Sequence, residues 1–137
     1  MKILAIDFGL KRIGFAVGNT FIKSATPIEQ LNRKNMDFDL EFITRIIDEY
    51  DIQHIIMGHP LNMDGTPGKL AGAVENFKNF LKKRIPQDID IELVDERLSS
   101  FEAEELLKPV QGDYKKRKKV LDSVSAMMLL KDYLEKT

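Results

Sequence analysis

The chain has 137 residues, no cysteine and an almost balanced charge, with 21 basic residues against 22 acidic ones. This length predicts one domain over residues 1–137, large enough to bury a core. The lack of cysteine excludes disulfides, thiolate nucleophiles and cysteine-ligated zinc, and 2 histidines are too few for a three-histidine zinc site. No apolar run reaches membrane-spanning length and the N-terminus does not look like a secretory signal, so we expect a cytoplasmic location.

Three β-rich runs and then an apolar pattern of helical period make up the first part of the chain. They lie at Ile3–Ile6, Ile13–Val17, Ser24–Gln30 and Met36–Tyr50. The first two runs are joined by a few residues that include Gly9, which predicts a hairpin. Pro27 in the third run favours a strand at the edge of a sheet. The fourth segment predicts an amphipathic helix.

The second part of the chain alternates strand-like and helix-like segments. Strands are predicted at His54–Gly58 and Ile89–Val94, and helices from Leu70 to about Arg84, from Ser99 to before Pro109, and from about Lys119 to Glu135. Ser99 and Glu102 match a capping box, which indicates a helix start. A loop is predicted at His59–Gly68, with Pro60–Gly68 as a tight Ω-type loop, and a mobile loop is predicted at the basic segment Lys108–Lys119.

This order of elements predicts an α/β fold. An antiparallel hairpin followed by strand–helix–strand crossovers gives a mixed five-stranded sheet, in which hairpin strands are antiparallel and the others parallel, with helices on both faces. Functional sites of such sheets lie beyond the carboxyl ends of the parallel strands. The residues at those ends are therefore the first candidates for chemistry.

Acidic residues stand at or near several of these ends. They are Asp7 at the end of the first strand, Asp95 and Glu96 at the end of the fifth, and Asp122 in the first turns of the last helix. Carboxylates brought together repel one another unless a cation intervenes, and ligands that are all oxygen atoms favour Mg²⁺ or Mn²⁺. Two such ions can activate a water molecule for phosphodiester cleavage. Each acid also fits an ordinary role as a turn residue, a helix cap or a surface ion pair, so the residues alone leave both interpretations open.

A run of basic residues precedes Asp122 and concentrates positive charge in one segment of the chain. It comprises Lys115, Lys116, Arg117, Lys118 and Lys119, without which the chain would be clearly acidic. Such a run is usually a solvated surface, but beside a cluster of acids it could hold the phosphates of a nucleic acid. Few aromatic residues accompany it, which favours contact with the phosphate backbone over base stacking. Further candidates for this surface are Lys11 and Arg12 beside Asp7, and Arg97 beside Glu96.

The turn Asp7–Gly9 also supports a rival interpretation. An Asp-x-Gly hairpin occurs where backbone amides bind nucleotide phosphates in sugar kinases, actin and the large heat-shock chaperones. A non-enzymatic nucleotide-binding or nucleic-acid-binding module therefore stays open, although those proteins use two lobes and this chain is too short for both. A P-loop at Gly65–Lys69 is excluded because Met63 and Leu70 stand where glycine and a hydroxyl residue are required.

Four sequence blocks resemble the signature blocks of the YqgF/RuvX family and together span nearly the whole chain. They read IDFGLKRIGFAVG, GHPLNMDGTPG, VDERLSSFEAEELL and KKVLDSVSAMMLLKDYL. This resemblance implies a ribonuclease H-like fold and a metal-dependent nuclease with Mg²⁺ or Mn²⁺ as cofactor. It implies that Asp7, Glu96 and Asp122 are the catalytic, metal-binding acids, with Asp95 as the alternative for the second position.

The resemblance also implies a nucleic-acid substrate. Members are described as nucleases that process the 5′ end of pre-16S ribosomal RNA in ribosome biogenesis, or as Holliday junction resolvases that act on branched DNA. A resolvase would be a homodimer, because paired cuts require two active sites. His59 departs from the small or apolar residue expected after the strand glycine, and we interpret it as a local variant rather than a phosphate contact. No acid ends the fourth strand, so the site would depend on the fifth.

Overall fold

The computed structural model of the protein describes residues 1–60, 64–95 and 114–136, and for residues 114–122 it describes the backbone only. The elements are β1 (Lys2–Phe8), β2 (Arg12–Asn19), β3 (Ser24–Asn32), α1 (Met36–Glu49), β4 (His54–His59), α2 (Ala71–Arg84), β5 (Asp90–Asp95) and α3 (Tyr114–Glu135). All five predicted strands are present, within a few residues of their expected bounds. The helix predicted from Ser99 lies outside the described residues. In the parts of the chain described, no helix is both long and apolar enough to span a membrane.

The five strands form a mixed sheet in the order β3-β2-β1-β4-β5. β2 is antiparallel to both β1 and β3, whereas β4 is parallel to both β1 and β5. This confirms the predicted sheet, and Pro27 lies in the edge strand β3 as expected. The carboxyl ends of β1, β4 and β5 consequently lie along the same edge.

Side chains alternate between the two faces of the sheet, and each face has its own core. From β1, Leu4 and Ile6 contribute to the core shared with α1 and α2, whereas Ile3 and Ala5 contribute to the core shared with α3. Helices therefore cover both faces, as predicted. Asp7 continues the alternation on the α3 side.

Helix α1 shows how local chemistry sets the ends of an element. It begins after Asn35, whose Oδ1 accepts a hydrogen bond from the N–H of Phe38 at 2.8 Å. It ends shortly before Asp51, which has a φ of 53° in the left-handed region that stops a helix. The apolar stripe between these ends packs on the sheet through Leu40 and Ile43.

The last helix begins earlier than predicted. Because α3 starts at Tyr114, the prediction of a mobile loop up to Lys119 is wrong for residues 114–119, while residues 108–113 lie outside the described part. Lysine and arginine are good helix formers, and neither glycine nor proline occurs between Tyr114 and Glu135, so the charged run does not stop the helix. Asp122 consequently lies in the third turn of α3 rather than in its first turns.

The loop that follows β4 closes on itself. The N–H of Gly68 donates to the carbonyl of Pro60 at 2.9 Å. Asp64 Oδ1 accepts from the N–H and the hydroxyl of Thr66, at 3.0 and 2.7 Å. These contacts agree with the predicted tight loop, of which residues 61–63 lie outside the described part.

Candidate functional site

The carboxyl ends of three parallel strands meet at one level of the sheet. Ile6 of β1 pairs with Met57 of β4, and Met57 pairs with Leu93 of β5. One residue further along each strand come Asp7, Gly58 and Val94. Ala5, Ile56 and Val94 all contribute to the core beneath α3, so this next level faces α3 by alternation. At this level Asp7 carries a carboxylate, and the residue beside it on β4 is Gly58, which has no side chain.

Helix α3 reaches the same end of the sheet. The N–H of Phe15 donates to Ser123 Oγ at 3.4 Å, and Ser123 is fully buried. Phe15 pairs with Ile6, and the next pair along the two strands is Asp7 with Gly14. The backbone of Asp122, which directly precedes Ser123, thus lies near Phe15 of β2, the strand next to β1. Asp7 and the backbone of Asp122 are both on the α3 side of the sheet.

For the second position of the predicted acids, the structure describes only one of the two candidates, Asp95. Asp95 is exposed and ends β5, whereas Glu96 and Arg97 lie outside the described residues. Within the part of the chain that is described, no three side chains of histidine, aspartate or glutamate form a group able to hold a metal. The assignment of Asp7, Glu96 and Asp122 as metal ligands therefore stays a prediction.

His59 lies on the other face of the sheet. Its Nε2 is 3.3 Å from Oε1 of Glu75, a residue of α2, and alternation along β4 takes it away from the face of Gly58. The interpretation of His59 as a local variant stays a prediction.

Of the predicted basic residues, Lys11 and Arg12 lie at the turn that follows β1, and Arg97 lies outside the described residues. Lys11 is exposed in the turn between β1 and β2, and Arg12 begins β2 opposite Asn32. The run Lys115–Lys119 forms the first turns of α3, upstream of Asp122 along the same helix. The helical backbone therefore carries the basic run and Asp122 on one continuous element.

Arg33 and Asp39 beside the turn were not singled out from the sequence. Arg33 Nε donates to Oδ2 of Asp39 at 2.9 Å, and Asp39 is fully buried. A signal was present, because Asp39 lies on the buried stripe of α1 between Met36 and Ile43, and a buried carboxylate needs a cationic partner.

A second group of titratable residues lies far from these strand ends. His54 begins β4, its Nε2 is 3.6 Å from Oε2 of Glu92, and its ring stacks on Tyr133 with centroids 6.2 Å apart. Burial, together with a hydrogen bond to Glu92, raises the pKa of Tyr133. Because His54 stands at the amino end of its strand, this group is separate from the candidate site.

Comparison with known proteins identifies relatives along nearly the whole chain. Residues 1–136 match the family model RuvX, described as a Holliday junction resolvase. A protein of Halothermothrix orenii is 40% identical over 98% of this chain and 94% of its own length. One from Sulfurihydrogenibium sp. is 42% identical over 98% of this chain and 90% of its own length. Both carry the name "Putative pre-16S rRNA nuclease".

Solved structures share the fold at much lower identity. A fowlpox virus resolvase in complex with Holliday junction DNA has a TM-score of 0.58 and 14% identity, covering 99% of this chain and 98% of that one. RuvC of Thermus thermophilus, also with a Holliday junction substrate, has a TM-score of 0.59 and 9% identity, covering 99% and 94%. These similarities confirm the predicted ribonuclease H-like fold.

Proposed function

From the premise that this chain belongs to the RuvX family, we propose that it is a nuclease that hydrolyses phosphodiester bonds in structured RNA with the help of divalent metal ions. One observation carries the proposal. Asp7 lies at the carboxyl end of β1, on the face of the sheet to which the Phe15–Ser123 hydrogen bond brings the backbone of Asp122. Glu96, directly after β5, completes the proposed set of acids.

The residues available at this place fit a hard divalent cation. Gly58 follows Met57, the partner of Ile6, and so lies beside Asp7 without adding a side chain to the α3 face. Continued alternation from Val94 would direct Glu96 to that face. His59 contacts α2 instead, and the proposed donors, Asp7, Glu96 and Asp122, are carboxylates, the ligands that Mg²⁺ and Mn²⁺ prefer.

Each part of the chain has a distinct task in the proposed reaction. When bound, the metal ions supply activation of a water molecule and stabilisation of the leaving oxygen. Asp7, Glu96 and Asp122 would hold them. The pairing of Asp7 with Gly14 and the hydrogen bond from Phe15 to Ser123 would fix the backbone positions of the first and third acids. No side chain of the chain is required to form a covalent intermediate.

The proposed substrate is the 5′ region of pre-16S ribosomal RNA. The names of the relatives support it, and so do the basic residues Lys11 and Lys115–Lys119 of the sequence. Lys11 and the run Lys115–Lys119 would neutralise phosphates on either side of the scissile bond, which suits an RNA held by its backbone. Such a substrate agrees with the expected cytoplasmic location.

The proposal is tested by incubating the purified chain with precursor 16S rRNA, in the presence of Mg²⁺, Mn²⁺ or a chelator. We expect cleavage with either metal and none with the chelator. Asp7→Asn and Asp122→Asn should each abolish cleavage while leaving the circular dichroism spectrum and the unfolding transition unchanged. Asp132→Asn is the matched control, because Asp132 is an exposed acid on α3 paired with Lys136 at 3.0 Å. Full cleavage by both Asp7→Asn and Asp122→Asn would exclude the proposed site.

Branched DNA is the second candidate substrate, favoured by the description of the matching family model. Four-way DNA junctions should therefore be tested under the same conditions. Cleavage of junctions but not of RNA would favour a resolvase, which should sediment as a homodimer because symmetric cuts require two sites. Tight binding of ATP with Mg²⁺, without cleavage of either nucleic acid, would favour the nucleotide-binding alternative.

A further inference from the structure

We propose that Arg33 is a positioning residue for this site, which holds the turn of residues 9–11 that follows Asp7. The proposal rests on the proposed nuclease function and concerns a residue outside both the acids and the basic run. It would make the rate of cleavage depend on a side chain that contacts neither the metal ions nor the substrate.

Arg33 contacts three consecutive carbonyl groups of the turn. Its Nη1 donates to the carbonyls of Gly9 and Leu10 at 3.3 and 3.5 Å. Its backbone N–H donates to the carbonyl of Lys11 at 2.9 Å. The turn itself is tight, because a Cβ added at Gly9 would lie 2.5 Å from the carbonyl oxygen of Arg12. A single residue thus anchors the whole connection between β1 and β2.

The guanidinium group is in turn held from both helices on its side of the sheet. Its Nε donates to Asp39 of α1 at 2.9 Å, and the other carboxylate oxygen accepts from the N–H of Lys34 at 3.1 Å. Its central carbon lies 4.8 Å from the ring centroid of Phe8 and 5.5 Å from that of Phe77 in α2. Charge-assisted hydrogen bonds and ring contacts therefore fix the group in one orientation.

The contacts with the turn go beyond what a buried ion pair requires. The Nε contact alone is enough to neutralise Asp39, whereas Nη1 donates to the carbonyls of Gly9 and Leu10, beyond the end of β1. The ladder of β1 and β2 holds Asp7 and Phe8 but ends at the pair of Phe8 with Ile13. Residues 9–11 lie beyond that ladder, and Lys11 among them is exposed.

Two variants separate positioning from charge neutralisation. Arg33→Met leaves the buried Asp39 without its cation, so a lower unfolding temperature is expected whatever else Arg33 does. The double variant Arg33→Met/Asp39→Asn removes both charges and keeps an acceptor for the N–H of Lys34. We expect it to recover most of the decrease in unfolding temperature, while its single-turnover cleavage rate stays about 10- to 100-fold below that of the unmodified chain.

Arg45→Met is the matched control. Arg45 pairs with Glu41 at 3.4 Å on the exposed side of α1, where its side chain is 77% exposed. This variant should cleave at the unmodified rate and should unfold at the same temperature. A loss of rate in this control equal to that of the double variant would overturn the proposal.

Amide hydrogen exchange supplies a measurement that does not depend on cleavage. Exchange in residues 9–12 should be faster in the double variant than in the unmodified chain and unchanged in Arg45→Met. The proposal would be overturned if the double variant exchanged these amides, or cleaved its substrate, at the same rate as the unmodified chain. If the unmodified chain cleaves no nucleic acid, the proposed function fails, but the exchange experiment still decides whether Arg33 anchors the turn.

Discussion

The N–H of Phe15 in β2 donates a hydrogen bond to the hydroxyl oxygen of Ser123 in α3, at 3.4 Å and across 108 positions of the chain. It lies where the register of β2 against β3 shifts between Ile13 and Phe15. Both Phe15 and Ser123 are fully buried. A hydroxyl group from the opposite layer therefore accepts from the backbone at an irregular point of the sheet, and the next residue toward the N-terminus of α3 is Asp122.

Removing this hydroxyl should affect both stability and cleavage. In Ser123→Ala the N–H of Phe15 is left without its acceptor in the core, which should lower the free energy of unfolding in urea by about 1–3 kcal/mol. The cleavage rate should also fall, because the turn of α3 that carries Asp122 is no longer fixed against β2. Ser125→Ala is the control, since Ser125 is a buried serine two positions further along the same helix. Equal decreases of rate in the two variants would show that the Phe15–Ser123 bond does not orient the site.

The choice between Asp95 and Glu96 can be settled by a pair of substitutions. Leu93 packs on the α1 and α2 side of the sheet and Val94 on the α3 side, so continued alternation would place Glu96 on the side of Asp7. Glu96→Gln should reduce the cleavage rate by more than the roughly 10- to 100-fold that loss of an outer partner of a metal site costs. Asp95→Asn should retain most of the rate. The reverse order in single-turnover assays would assign the second acid to Asp95.

Local patterns in the sequence were sufficient to predict the helices, the strands and the edge of the sheet that carries the candidate site. They were not sufficient to predict the contacts that orient that site. The alternation of β1 and the helical period of α1 are properties of neighbouring residues, and they predict which faces are buried. The position of Asp39 on a buried stripe signalled that a cation was needed, yet only the fold identifies Arg33 as that cation. The partner of Ser123 could not be predicted, because no local pattern connects it to Phe15.

The early start of α3 has a related cause. The basic run was interpreted as a loop because of its charge, whereas helix formation depends on backbone and side-chain entropy, which lysine and arginine tolerate well. A charged run without glycine or proline is therefore weak evidence for a loop.

Close packing of α3 on β2 should depend on the absence of a side chain at Gly18. A Cβ there would lie 2.2 Å from the carbonyl oxygen of Ser24 and 2.8 Å from Cδ2 of Leu130. Gly18→Ala should therefore lower the free energy of unfolding by about 1–3 kcal/mol. Gly72→Ala is the matched control, since nothing lies within 4 Å of its added Cβ in the first turn of α2. That variant should be neutral or more stable by up to about 1 kcal/mol in the same urea titration, and equal destabilisation of both would rule out the steric explanation.

The basic run should bind substrate through its position near Asp122 and not only through its contribution to the net charge. Lys118 precedes Asp122 by one turn of α3, so the double variant Lys118→Gln/Lys119→Gln removes charge beside the proposed site while keeping good helix formers. The slope of log K against log salt for binding RNA should become shallower by about 0.7–0.9 for each phosphate that the variant no longer neutralises. Lys131→Gln/Lys136→Gln removes the same charge from exposed positions in and just after the last turns of the helix, and there the slope should stay unchanged. A similar change of slope in both variants would mean that the run acts through net charge alone, because only local binding of phosphates distinguishes the two ends of α3.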